Sequence, residues 1–136
     1  AIVIATQNSR TLAINNITFC HSDWFSNITK TFNIIVSNPP YIEIDDSHLA
    51  NDIRHEPMMA LVSGKDGLND IRTIIKNSIH FLDDRGGNKG MLFLEHGYNQ
   101  GTHVCELMKQ AGFKDYKTIK DLASNDRVTF GSWSQR

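Results

Sequence analysis

Apolar residues along the chain change their spacing several times, and each change marks an element. Ile4, Ala5, Leu12 and Ile14 flank a polar stretch from Thr6 to Thr11, which predicts a short opening helix over 1–14 ended by the turn formers Asn15-Asn16. Ile17-Thr18-Phe19-Cys20 is β-branched and aromatic and predicts a strand. Phe32-Asn33-Ile34-Ile35-Val36 is nearly continuously apolar over one strand length, the pattern of a parallel strand buried on both faces. From Tyr41 to Lys65 no period holds, which predicts a long functional loop.

Helical spacing returns at Leu68, Ile71, Ile74, Ile75, Ile79 and Leu82, with Asp66 placed to cap the helix start. Gly86-Gly87-Asn88 predicts a turn, and Gly90 to Glu95 another buried strand. Val104, Leu107, Met108 and Ala111 share one face of a further helix, which Gly112 stops. Tyr116–Ile119 and Arg127–Gly131 predict two strands, and the short turn Ala123-Ser124-Asn125-Asp126 makes them antiparallel neighbours. Helices alternating with buried strands predict an α/β open sheet.

Composition narrows the class without changing the fold. At 136 residues the chain is one domain or a portion of one. Fourteen basic against fifteen acidic residues argue against a generally basic nucleic-acid surface, and the lysines are scattered as on a solvated surface. No apolar run approaches the roughly 20 residues that span a bilayer. Cys20 and Cys105 lie in or beside apolar runs and are expected to be buried free thiols, which fits a reducing, cytoplasmic setting. The six histidines, among them His48, His55 and His96, show no His-x-x-x-His spacing and the cysteines no Cys-x-x-Cys, so no metal site is expected. His96 follows a strand end and could line a pocket, and a structural hydrogen-bonding role is the expectation.

The chemistry concentrates in Asn38-Pro39-Pro40-Tyr41, directly after a buried strand, where ligands of open α/β sheets bind. Neither proline has an N–H, and Pro40 biases Pro39 towards an extended conformation. The Pro39 carbonyl therefore has no helical role and is free to accept a hydrogen bond. The Asn38 side-chain oxygen is a second acceptor. Two acceptors match the two hydrogens of an amide or exocyclic amine, and the Tyr41 ring can lie against a planar group. A plain Pro-Pro turn with a capping Asn is the alternative.

Ser22-Asp23-Trp24-Phe25, Ile35 to Ile42, Arg54 with Glu56-Pro57, Ala60-Leu61, Leu94-Glu95-His96-Gly97 and Asn125 to Thr129 together resemble the HemK/PrmC family. Its members are S-adenosylmethionine-dependent enzymes that methylate the glutamine of the Gly-Gly-Gln motif in class-1 peptide chain release factors. The Asn-Pro-Pro-Tyr motif alone is shared with adenine-N6 DNA methyltransferases and some RNA guanine-N2 enzymes. The Arg54–Leu61 and Leu94–Gly97 segments narrow the resemblance to the glutamine enzymes, with a nucleic-acid amine methyltransferase or a catalytically dead truncated module as the alternatives.

The resemblance implies an incomplete Rossmann-like class I S-adenosylmethionine-dependent methyltransferase fold, a mixed sheet with antiparallel C-terminal strands. It implies that Asn38, Pro39, Pro40 and Tyr41 hold the glutamine, with Asn38, Pro39 and Tyr41 as the catalytic set. It places Asp23, Trp24 and Asn38 at the cofactor, although Asp23 also reads as a turn or cap and Trp24 as a core aromatic. Arg54 and Glu56 read as loop-shaping residues or an ion pair. The implied reaction is direct in-line methyl transfer from a sulfonium to an amide nitrogen, with hydrogen bonds from its NH2 to Asn38 and Pro39 and no general base before attack. Implied partners are class-1 release factors, without a membrane or direct nucleic-acid contact.

The family's glycine-rich cofactor loop has no match here: no Gly-x-Gly occurs, and the first glycine is Gly64. On the resemblance, 1–136 covers the C-terminal portion of the catalytic domain, without the first two strands, that loop, the acidic residue that binds the ribose hydroxyls, or the N-terminal helical domain. Two expectations follow. The Phe32–Val36 edge should stand apolar and unpaired, and the chain alone should bind cofactor weakly or not at all. Micromolar one-site binding in a calorimetric titration with S-adenosylmethionine would contradict the second.

Overall fold

The computed structural model describes residues 1–45, 57–85 and 89–135. The chain divides into two compact units, Ala1–Lys30 and Thr31–Arg136. Arg54, Glu56, His48, His55 and the Gly86-Gly87-Asn88 turn lie outside the described residues.

In the first unit, helix α1 runs over Ile2–Thr11, shorter than the period suggested. Ala13 ends it by entering the left-handed region (φ 52°), which lets Ile14 N–H reach the Ser9 carbonyl and Ala13 N–H that of Arg10. Val3, Ile4 and Leu12 remain exposed. The strand expected at Ile17–Cys20 does not form. High β-propensity is no substitute for a neighbour, and no ladder among the described residues takes up its backbone groups. Cys20 is exposed rather than buried, for the same lack of a covering layer.

The second unit is a four-stranded mixed sheet in the order β1-β2-β4-β3. β1 (Ile34–Ser37) runs parallel to β2 (Gly90–Glu95), with Ser37 opposite Leu94. β4 (Asp126–Trp133) is antiparallel to β2 and to β3 (Lys114–Lys120). Helix α2 spans Asn69–Ser78 and α3 spans Gly101–Gln110. α2 stops one turn before Leu82, because Phe32 and Leu82 form an isolated bridge that carries the chain into the sheet.

The core occupies one face of this sheet. Leu92 and Leu94 of β2 are fully buried, as are Ile71, Ile74 and Ile75 of α2, Val104 and Met108 of α3, and Phe113. The i, i+3, i+4 spacing of these helical residues is what turns both helices onto that face. A Schellman ending closes α3: Gly112 (φ +88°) donates to the Lys109 carbonyl and Phe113 N–H to that of Met108, which drops Phe113 into the core.

The opposite face is open. Ile34 and Val36, opposite Met91 and Phe93, are 58% and 74% exposed, so β1 is not buried on both faces as its apolar run suggested. β1 is an edge strand, paired on one side only among the described residues. Phe93 and Phe130 stack on this face, with ring centroids 5.4 Å apart.

Candidate functional site

Because β1 and β2 are parallel neighbours, the loops after them emerge together. Asn38-Pro39-Pro40-Tyr41 leaves β1 beside Glu95-His96-Gly97 leaving β2. This crevice beyond the carboxyl ends of strands is where open α/β sheets hold ligands. Asn38, Pro39, Pro40, Tyr41 and Ile42 line an open pocket of about 180 Å³ there, with Ala60 and Leu61 as its other wall.

Backbone pairing fixes that second wall. Ile42 N–H donates to the Leu61 carbonyl (2.9 Å), Ser63 N–H to Ile42 (2.9 Å), and Ile44 N–H to Gly64 (3.0 Å). The segment from Ile42 is thus zipped to the segment from Leu61, which a 3-10 turn over Met58–Ala60 delivers. Ser63 then anchors the start of α2. Its hydroxyl donates to the Asp70 carboxylate (2.7 Å) and accepts the Asp70 N–H (2.8 Å). Asp66 accepts Leu68 N–H and pairs with Arg72, whose guanidinium lowers the Asp66 carboxyl to about 2.

Within the pocket, Asn38 is exposed and Pro39 buried. Neither the Asn38 side chain nor the Pro39 carbonyl has a hydrogen-bonding partner among the described residues. Both acceptors are therefore available to an incoming donor. Tyr41 is the opposite case, since its hydroxyl lies 3.4 Å from Glu95 Oε1. Partial burial raises the phenol's pKa first, and the Glu95 charge adds to this, while the Arg127 charge offsets part of it. The phenol stays neutral at physiological pH.

Gln100 has no signal in the sequence, since an isolated glutamine in a helix-start segment carries no pattern. Its side chain is 4% exposed. Its Oε1 accepts Gly97 N–H (2.9 Å), and its Nε2 donates to the carbonyls of Tyr41 (3.0 Å) and Asp66 (3.2 Å).

His96 is fully buried and turns away from the pocket into the sheet. Its Nδ1 lies 2.9 Å from the Gly97 carbonyl, which can only accept, so Nδ1 carries the proton. Its Nε2 lies 2.7 Å from Thr129 Oγ1, which in turn contacts Thr118 Oγ1 at 2.7 Å. Burial lowers the His96 pKa, outweighing the opposing hydrogen bond to Gly97.

Asp23 and Trp24 belong to the first unit. Asp23 is exposed and opens a turn in which its carbonyl accepts Ser26 N–H (2.9 Å) and its N–H donates to Ser26 Oγ (3.1 Å). Trp24, half-buried, sits in the left-handed region at φ 47°. Bulky residues rarely adopt that conformation. Among the described residues no group of three His, Cys, Asp or Glu could hold a metal ion, and no helix is long and apolar enough to cross a membrane.

The chain is 44% identical to the release factor glutamine methyltransferase of Pseudomonas aeruginosa, over 98% of its own length and 48% of the relative's. It is 46% identical to that of Buchnera aphidicola from Acyrthosiphon pisum, over 96% and 46%. Identity to the Yersinia pestis protein of the same name is 41%, over 98% and 48%. The chain belongs to the release factor glutamine methyltransferase family. It spans about half the length of the curated relatives it matches. No family model matches it. A solved protein-(glutamine-N5) methyltransferase from Alicyclobacillus acidocaldarius covers 75% of this chain and 48% of its own, at 28% identity and a TM-score of 0.47.

Family membership implies S-adenosylmethionine as methyl donor. The second unit's pocket, at about 180 Å³, falls below the roughly 300 Å³ at which sites for whole small-molecule ligands begin. Among the described residues the groups without partners there are the Asn38 side-chain amide, with its acceptor oxygen and NH2 donors, and the Pro39 carbonyl. By its size the pocket does not by itself fit the cofactor.

Proposed function

We propose that this chain is the substrate-holding portion of the catalytic domain of a release factor glutamine methyltransferase. Its substrate is the glutamine of the Gly-Gly-Gln motif in class-1 peptide chain release factors. The observation that carries this reading is that Asn38 and Pro39 line a pocket with Tyr41, and that Asn38 Oδ1 and the Pro39 carbonyl have no partner among the described residues. An amide NH2 has two hydrogens and meets both. That geometry holds the nitrogen in line and favours positive charge developing on it.

Asn38 and Pro39 bind and orient the nitrogen, and Tyr41 and Pro40 flank the planar amide. The neutral Tyr41 phenol brings no charge to the amide. S-adenosylmethionine would supply the methyl group; in the first unit Asp23 and Trp24, and in the second unit Asn38, are the residues that would serve it. The setting is cytoplasmic, with release factors as the protein partners.

The test uses labelled S-adenosylmethionine with release factor and with DNA, in the full-length parent and in this chain. With the full-length parent, label should enter the release factor and not DNA, and this chain alone should transfer little or none. Asn38→Ala should lower incorporation at least about a hundredfold, the usual cost of removing one preorganised polar contact to a developing charge. Label on DNA, or unchanged incorporation in Asn38→Ala, would overturn the proposal.

A further inference from the structure

Three loops, one of which carries the pocket-lining Tyr41, converge on one buried side chain. Tyr41 follows β1, Asp66 precedes α2, and Gly97 follows β2. The Gln100 amide hydrogen-bonds to all three, using one acceptor and both donors. Only an amide offers one acceptor and two donors on a single planar group. A carboxylate would face the Tyr41 and Asp66 carbonyls with like charge, and an aliphatic side chain would leave both without this partner.

Gly67 shows how closely the junction is built. A Cβ there would lie 2.2 Å from the Tyr41 carbonyl oxygen and 2.6 Å from Gln100 Nε2, and its φ of +68° already disfavours other residues. The Tyr41 carbonyl is thus held by the Gln100 amide, with the Gly67 backbone packed close against both. At its far end the Tyr41 side chain meets Glu95. The residue is held at both ends, which fixes where its ring stands in the pocket.

We infer that Gln100 is a positioning residue of the Asn38–Tyr41 site, acting through the Tyr41 carbonyl to hold the ring against the substrate amide. It touches no substrate itself. The substrate part of this inference rests on the glutamine reading above, whereas the positioning of Tyr41 does not.

The test uses the full chain with 13C-labelled tyrosine, as wild type, Gln100→Glu and Gln100→Leu. Tyr41 ring resonances, thermal midpoints and binding of a Gly-Gly-Gln peptide are recorded at about pH 5 and about pH 8, on either side of a buried carboxyl's titration. Asp66, Glu95, His96 and Arg127 are the charged or titratable groups around the junction, and the wild-type series controls for them. In Gln100→Glu the ionised carboxylate cannot donate, so Tyr41 resonances should shift at high pH and return towards wild type at low pH. Peptide affinity should fall about tenfold at high pH, the scale of losing one or two neutral hydrogen bonds, and recover on acidification. Gln100→Leu should shift Tyr41 at both values.

Wild-type Tyr41 resonances in Gln100→Glu at high pH would overturn the inference. So would losses of midpoint and peptide binding in both variants without recovery at low pH, which mark a merely structural role. If the wild type binds no peptide, the substrate reading falls, and the ring resonances alone decide the positioning of Tyr41.

Discussion

At the scale of single residues, the site separates groups with partners from groups without. Tyr41 and Gln100 are tied down, while the Asn38 side chain and the Pro39 carbonyl have no partner among the described residues. His96 illustrates how burial makes a residue structural. It is neutral inside the sheet, and burial holds its pKa below the ordinary value near 6.5. Below that ordinary value the unfolded chain binds a proton that the folded chain refuses, so stability falls with pH until the lowered folded value is reached. Stability should therefore drop as pH is taken from about 7.5 to about 5, the range in which an ordinary histidine titrates. His96→Gln should show a shallower slope over the same range. Urea midpoints against pH for the two proteins check this, and equal slopes would contradict it.

At the scale of elements, two glycines with positive φ make different demands. Gly112 ends α3 in open space, with nothing within 4 Å of where an added methyl would stand, so Gly112→Ala meets only the backbone penalty of about 1–2 kcal/mol. Gly67→Ala meets a comparable penalty and also drives a carbon into the Tyr41 carbonyl. The element-level expectation is that Gly67→Ala costs at least about 2–4 kcal/mol, within the range of severe strain and overpacking. It should also perturb Tyr41, which Gly112→Ala leaves alone. Denaturant melts give the two costs, and Tyr41 ring resonances give the second effect. Similar losses and similar Tyr41 spectra would show that the Tyr41 and Gly67 loops do not meet tightly.

At the scale of the molecule, the sheet of the second unit carries its helices on one face. The other face presents Ile34 and Val36 to solvent on an edge strand. An apolar edge with free backbone groups templates pairing with further chains. Val36→Lys should reduce self-association of the isolated chain and change its stability by no more than about 0.5 kcal/mol, as for other exposed sites. Sedimentation and light scattering at increasing concentration report the first, and a thermal melt the second. Unchanged association would place its cause elsewhere.

How much is legible from the chain alone depends on how local each determinant is. The β2 strand, α3 with its Gly112 stop and the antiparallel β3–β4 pair are readable because spacing and turn chemistry act within a few residues. The place of Asn38–Tyr41 directly after a strand is readable too, from the apolar run that precedes it. The sequence by itself thus determined the periods of α2 and α3, the Gly112 stop and the turn between β3 and β4. Tertiary structure decided whatever required a neighbour. Ile17–Cys20 has strand propensity but no ladder to join, and the β1 run has the apolarity of a central strand but takes an edge. Gln100 has no signature, because its role lies in three loops that are distant along the chain and meet only where parallel strands end side by side. A hydrogen bond between such segments is invisible to periodicity, which records only what a residue shares with its neighbours in sequence.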